Sequence, residues 1–368
     1  MMDEIAIRRQ MGWDDSKKRF SGVVEFGGFL EVNMDNLPIA KEALVFMVTG
    51  VTESWKLPVA YFLIDSLSTD QKASLVENII SYLSDIGVTV IAFTFDGTAT
   101  NIATANSLGA CLKYGDNLKT FFNHPITNEP IVVILDVCHM VKLIRNTLGV
   151  KRVFKTDNGE IEWKYFEKLN DFQNSCGHSF SGRSLDRHIH FDNEKMRVDL
   201  ATELFSNKVG DALGELRTKD PYFENVKCTV EFIRIMNNIF DVFNSKKLYG
   251  IAYKEPMRKS NMNRNEKLFH ETERLLTSLK IPQRKKDQIV WNDVLTSVNK
   301  TGFLGLIVAI RSFRCLFLKF VVKKKNYLKS MAIVLVKTIL KLFFLLYDLV
   351  EVINEDMLNN VLHIFSYF

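Results

Sequence analysis

The sequence predicts an α/β first part followed by a mainly α-helical second part. Two observations carry that reading. Short apolar runs, among them residues 88–95 and 131–135, alternate with segments of helical period up to about residue 150. Beyond about residue 151 the 3.6-residue period dominates, most clearly in residues 198–216 and 228–243. The chain has 368 residues and is 47% hydrophobic, enough for one large domain or two ordinary ones.

The elements follow in order. Residues 1–7 read as a strand, 20–26 as a second and 43–51 as a third, with Gly27-Gly28 and residues 33–38 as the turn signals between the last two. Residues 70–86 read as a helix. Ser68 and Gln71 are spaced for a capping box, and Leu75, Val76, Ile79, Ile80 and Leu83 form one apolar stripe. Residues 88–95 are nearly all apolar, as a strand buried on both faces requires. A helix over 100–108, a strand over 131–135 ending at Asp136, and a helix over 137–148 complete the series. The order β-β-β-α-β-α-β-α is that of the ribonuclease H fold. Residues 154–163 read as a hairpin around Asp157-Asn158-Gly159. In residues 228–243, Phe232, Ile233, Met236, Ile239, Phe240 and Phe243 make one stripe. Residues 253–265 are polar and basic and read as a loop; residues 302–322 read as a further helix. No internal repeat is present.

Net charge is a modest +5, so no polycationic character points to nucleic acid, although Arg8-Arg9, Arg284-Lys285-Lys286 and Lys323-Lys324-Lys325 are local basic clusters. Five widely spaced cysteines with no CxxC pair fit reduced thiols of the cytosol or nucleus. Acids and Arg8-Arg9 interrupt the N-terminus, which excludes a signal peptide there. The chain opens inside a strand, and an upstream region is expected.

Asp3 punctuates the first strand and Asp96 ends the run over 88–95. Carboxylates on neighbouring strands can share divalent metal, and paired Mg²⁺ ions drive phosphoryl transfer on nucleic acid. The plain alternative is that both cap turns. Asp136 is placed as a helix N-cap, with His139 one turn on and on the same side; a role for the pair beside the metals is the alternative. Asp241 and Asn244 share a helical face beside the aromatic Phe240; Phe240 in the core and a solvated polar pair is the alternative. Cys176, His178, His188 and His190 are donor types that suit zinc, but their spacing is not that of a familiar structural site.

Met2-Asp3-Glu4-Ile5-Ala6-Ile7, Ser54-Trp55-Lys56-Leu57-Pro58-Val59, Asp96-Gly97-Thr98-Ala99-Thr100-Asn101 and the segment from Asp136-Val137-Cys138-His139 to Arg145-Asn146 together resemble the P-element-like transposases, including those with THAP DNA-binding domains. Val198-Asp199-Leu200-Ala201, Val209-Gly210-Asp211-Ala212-Leu213 and Phe240-Asp241-Val242-Phe243-Asn244-Ser245 resemble the helical insertion domain of that family. The resemblance implies a cut-and-paste DNA transposase with an α/β ribonuclease H-like catalytic domain and a mainly α-helical, guanine-nucleotide-binding insertion domain. It implies Mg²⁺ and GTP as cofactors, transposon-end and target DNA as partners, self-association, and a nuclear location. It places the first two catalytic, metal-binding acids at Asp3 and Asp96, and nucleotide contacts at Val198, Phe240, Asp241 and Asn244. An Asp carboxylate accepts both the N1–H and the 2-amino group of guanine, which separates guanine from adenine. There is no GxxxxGK[ST] phosphate loop. The zinc-binding THAP domain is absent from this sequence.

The family's third acid lies in a Gln-Asp-His-hydrophobic-Glu motif after the insertion, and no such motif occurs here. Residues 331–350 are instead long and apolar enough for a membrane span. Lys337 and Lys341 inside that stretch oppose insertion, at about 2.5–3.5 kcal/mol for a lysine near the centre. One codon set for residues 331–354, read one nucleotide earlier, encodes Gln-Asp-His-Ile-Glu followed by Arg-Ser-Arg-Gly-Gly. The expectation is therefore a displaced reading frame near residues 329–331. The domains are read as 1–150 ribonuclease H-like, 151–325 helical insertion and 326–368 an out-of-frame apolar tail. The chain is expected to be a transposase fragment, inactive as written. The alternatives are a non-catalytic guanine-nucleotide or DNA-binding module, and a tail-anchored membrane protein.

Overall fold

The computed structural model describes residues 1–15, 19–26, 38–51, 55–176, 184–245, 250–285 and 288–319. The turn signals at 27–37, His178, the 323–325 lysine cluster and the apolar tail over 331–350 lie outside the described residues.

The first sheet is antiparallel, ordered β1-β4-β5, and contains β1 (Met2–Ala6), β4 (Glu42–Thr49) and β5 (Lys56–Ile64). Residues 20–26 are not its second strand. They contribute only β3 (Arg19–Ser21), which pairs with β2 (Gly12–Asp14) in a separate hairpin, and isolated bridges at Val23 and Glu25. The missed member is β5. Pro58 within it demotes the run as a strand in sequence, because proline offers no ladder N–H. The structure places Pro58 opposite Met47, beside a register shift between Phe46 and Met47.

Helix α1 (Thr69–Asp85) starts where expected. Gln71 N–H donates to Ser68 Oγ (3.2 Å) and Ser68 N–H donates to Gln71 Oε1 (3.0 Å), closing the capping box. Its stripe from Leu75 to Leu83 is buried. Gly87, at φ 81°, turns the chain out of α1 in a conformation that favours glycine. The strand expected over 88–95 shortens to β6 (Ala92–Phe95), because residues 88–91 lead out of that turn half-exposed. Next come α2 (Ala99–Ser107), β7 (Phe121–Asn123), β8 (Pro130–Leu135) and α3 (Val137–Lys151). β6 and β8 are parallel, and β7 runs antiparallel to β8. β1 lies alongside β6, so the two three-stranded sheets meet edge to edge in the order β5-β4-β1-β6-β8-β7. Residues Ile131 to Leu135 of β8 are at most 2% exposed, which marks β8 as the centre of the core.

The expected hairpin forms from β9 (Val153–Thr156) and β10 (Gly159–Glu162). Helices α4 (Lys164–Cys176), α5 (Asp186–Ile189), α6 (Val198–Leu204), α7 (Asn207–Leu216), α8 (Lys227–Phe243) and α9 (Met262–Ser278) follow. The stretch 198–216 is two helices, broken at Phe205-Ser206 so that α7 can turn against α8. The loop read over 253–265 ends early, since α9 begins at Met262. β11 (Lys280–Lys285) and β12 (Gln288–Asp293), unforeseen in the sequence, extend the hairpin into a four-stranded sheet ordered β10-β9-β11-β12. Pro282 and the exposure of Gln288, Ile289 and Val290 explain why their alternation is weak.

Helix α10 (Thr301–Phe317) packs on α3 and β8. Ser312 Oγ donates to the Val133 carbonyl at 2.5 Å. The helices touch closely at Gly302, where an added Cβ would stand 2.9 Å from Leu143 Cβ and 3.0 Å from the Met140 carbonyl oxygen. Neither of those atoms sits at the end of a flexible chain. Gly302→Val is therefore expected to destabilise the protein by about 1–3 kcal/mol through overpacking. The check is a lower urea midpoint at unchanged slope; an unchanged midpoint would show that α10 does not press on α3 there.

Candidate functional site

Asp3 lies in β1 opposite Val45. Asp96 and Asp136 each follow the last residue of a strand, β6 and β8, whose parallel register pairs Phe95 with Leu135. Asp136 N–H donates to the Phe95 carbonyl (3.0 Å), locking the two strand ends together. The carboxyl ends of parallel strands form the crevice where open α/β sheets bind ligands. Asp136 also caps α3, its Oδ1 accepting from Cys138 N–H at 3.0 Å. His139 sits in the first turn of that helix.

The electrostatics join these groups. Burial pushes the Asp3 carboxyl up to about 6; the Glu4 N–H bond at 3.0 Å opposes this, and the negative charges of Asp96 and Glu4 add to it. Burial pushes Asp136 up to about 7, against the Cys138 N–H and the Lys142 charge, with Asp3 adding repulsion. His139 is held well below its ordinary range by burial and then by Lys142, with Asp96 opposing. Burial also lowers Lys142, against the pull of Asp136 and Asp96. Asp3, Asp96, Asp136 and His139 thus lie in one cluster with Lys142.

Asp96 Oδ1 accepts from Thr98 N–H (3.1 Å) and from Asn101 Nδ2 (2.7 Å). The donor chemistry, hard carboxylate oxygens set against one another, fits a divalent cation. The set is incomplete: among the described residues no three His, Cys, Asp or Glu side chains converge as a metal site.

The expected nucleotide contacts occupy two places. Val198 opens α6, which packs on α3 and α5. Phe240, Asp241 and Asn244 end α8, which packs on α7, α9 and α3. Asp241 Oδ2 accepts from Asn237 Nδ2 at 3.0 Å, and burial raises its pKa against the Lys254 charge. Asn244 follows the last helical residue, its N–H donating to the Phe240 carbonyl at 2.9 Å. Its Oδ1 is buried with no hydrogen-bond partner among the described residues. Phe240 is half-buried rather than a full member of the core. This end of α8 offers a carboxylate, an unmet acceptor and an aromatic ring, which suits a base edge that donates N–H groups. Of the zinc-type quartet, His188 Nε2 pairs with Glu203 Oε2 at 3.0 Å; His178 and the Cys176 side chain lie outside the described residues.

Lys72, Asn101 and Lys142 were not singled out in sequence, yet all are buried around the acids. Lys72 left a signal, because it falls three residues before Leu75 on the apolar stripe of α1, where a lysine needs a partner.

These shifts set a pH dependence. An unfolded chain releases the Asp3 and Asp136 protons near the ordinary value of 3.8, whereas the folded chain holds them to about 6 and about 7. The native state binds more protons across that window, so this contribution to stability is complete below about 4 and is lost as pH rises through 6 to 7. The melting-temperature advantage of Asp136→Asn over the parent, measured without divalent cations, is expected to grow from pH 5 to pH 8. A pH-independent difference would contradict the shift.

Comparison with known proteins gives these surroundings a lineage. The chain matches the family model described as TNP-like, RNase H N-terminal domain over residues 1–109 and that described as TNP-like, GTP-binding insertion domain over residues 138–256. It is 30% identical over 326 residues to the DNA transposase THAP9 of Homo sapiens, covering 88% of this chain and 35% of that protein. It is 29% identical over 202 residues to the Transposable element P transposase of Drosophila melanogaster, covering 54% of this chain and 26% of that protein. The chain thus spans about a third or less of the length of these relatives. Among solved structures, the Drosophila P element transposase strand transfer complex matches in fold with a TM-score of 0.73 at 23% identity, over 93% of this chain and 69% of that one. The family models and the relatives agree that this chain is homologous to the DNA transposase THAP9 and to the Transposable element P transposase, and that it carries a ribonuclease H-like domain.

Proposed function

We propose that the chain is the catalytic and insertion portion of a cut-and-paste DNA transposase that binds transposon-end and target DNA in the nucleus and is inactive as written. The observation that carries this is the placement of Asp3 on β1 and of Asp96 at the end of β6, strands that lie side by side, with the Asp96 charge acting on Asp3. Asp3 and Asp96 would hold divalent metal, Mg²⁺ in this reading, which when bound activates the attacking hydroxyl and stabilises the leaving oxygen. Thr98 N–H and Asn101 orient Asp96. Asp136 fixes the start of α3 against the site, and Lys142 supplies buried positive charge beside the acids. The divisions near residues 150 and 325 belong to the same proposal, as does self-association.

Two-metal chemistry needs ligands that fix both ions, and the described residues supply an incomplete set. Purified protein is expected to leave supercoiled DNA intact in Mg²⁺. Robust nicking that disappears in Asp96→Asn would contradict inactivity while supporting the metal site.

A second reading, nucleotide binding without turnover, is favoured by the orphaned Asn244 Oδ1 beside Asp241 and Phe240. The resident nucleotide would be GTP, with Asp241 reading the guanine edge. Hydrogen bonds to a charged group contribute about 1.5–3 kcal/mol, so Asp241→Ala should weaken GTP binding on the order of 10- to 100-fold and ATP binding little. Equal calorimetric affinity of the parent for both nucleotides would count against the site. Among the described residues no helix is long and apolar enough to cross a membrane.

A further inference from the structure

We infer that Lys72 is a positioning residue for the carboxylate pair, setting the Asn101 amide so that Asp96 is held in one orientation across the β1–β6 seam. This rests on the reading that Asp3 and Asp96 hold a divalent cation.

Lys72 is 3% exposed. A buried ammonium is tolerated only when paired. Its Nζ makes a salt bridge to the Glu4 carboxylate on β1 and donates to Asn101 Oδ1 on α2 at 3.1 Å. An ammonium has donors and no acceptor, so the amide oxygen must face it. Asn101 Nδ2 is thereby turned towards Asp96 Oδ1, 2.7 Å away. Without the ammonium, the buried amide oxygen loses its donor and the amide is held from the Asp96 side alone. With it, Asp96 Oδ1 is saturated by Asn101 and Thr98 N–H, and Oδ2 is the oxygen left for a cation.

The seam gives this chain of contacts its purpose. β1 and β6 belong to separate hydrogen-bonded sheets, so no shared ladder fixes their separation. Glu4, Lys72, Asn101 and Asp96 connect the two strands through side chains, by way of α1 and α2. Glu4 adjoins Asp3 but alternates to the other face of the strand, so it anchors β1 without competing as a ligand.

The test is a Mn²⁺ titration of the purified chain followed by electron paramagnetic resonance, with thermal melts of every variant. Asp96→Asn is expected to abolish the bound signal; binding that survives overturns the metal reading and this inference with it. Lys72→Met and Asn101→Ala are each expected to weaken Mn²⁺ binding 10- to 100-fold, the range for partners that orient metal ligands. The double variant is expected to lose no more than either single one, because both act through the same hydrogen bond. Additive losses, or a lowered melting temperature with unchanged Mn²⁺ affinity, would reduce Lys72 to a structural ion pair and overturn the inference alone. If Lys72→Met does not fold, Asn101→Ala decides, since it keeps the Lys72–Glu4 pair; unchanged affinity there overturns the inference equally.

Discussion

Asp3, Asp96 and Asp136 lie near a seam between two sheets, where burial and like charge act against ionisation of Asp3 and Asp136. The surrounding structure is arranged to hold them there. Asp136 is tied down by the cap of α3 and by the Phe95 carbonyl, and Asp96 by two N–H donors. Lys142, buried on α3, places positive charge against the cluster, and Lys72, buried on α1, pairs with Glu4 and Asn101. A group of acids held this way loses stability when ionised without a counter-cation, a condition common at functional sites and rare in a core selected for stability alone.

The supports reach far along the chain. β8, at the centre of the core, positions both α3 and the end of β6. α10, more than 150 residues further on, fastens to β8 through Ser312 and to α3 through close contact at Gly302. The helical region between α3 and α10 is therefore bracketed by two elements that pack against each other. It packs, through α6 and α8, on α3, the helix that Asp136 caps.

Much of this was legible in the sequence. The capping box at Ser68, the stripe of α1, the N-cap at Asp136 and the hairpin at Asp157-Asn158 are local rules, and they appear in the structure as read. What escaped the sequence depends on tertiary partners. β5 carries a proline that only its bulged pairing with β4 accommodates. β11 and β12 are half-exposed strands that exist because β9 offers an edge. Residues 20–26 have strand-like composition but find only a hairpin and isolated bridges. At the candidate site, the place of Asp3 in the first strand and of Asp96 at a strand end is legible in the sequence, as is their family resemblance. Asn101 was visible only as part of a motif, since its role depends on Lys72, a residue on another helix.

In the proposed function Asp3 and Asp96 share a divalent cation across the β1–β6 seam. The most direct measurement is an anomalous difference map from crystals of this chain grown with Mn²⁺. The account predicts one peak bonded to a carboxylate oxygen of each aspartate, at about 2.1 Å, the distance for a small hard cation. A map with no peak between the two carboxylates, or with the ion bound to one aspartate and turned away from the other, would contradict it.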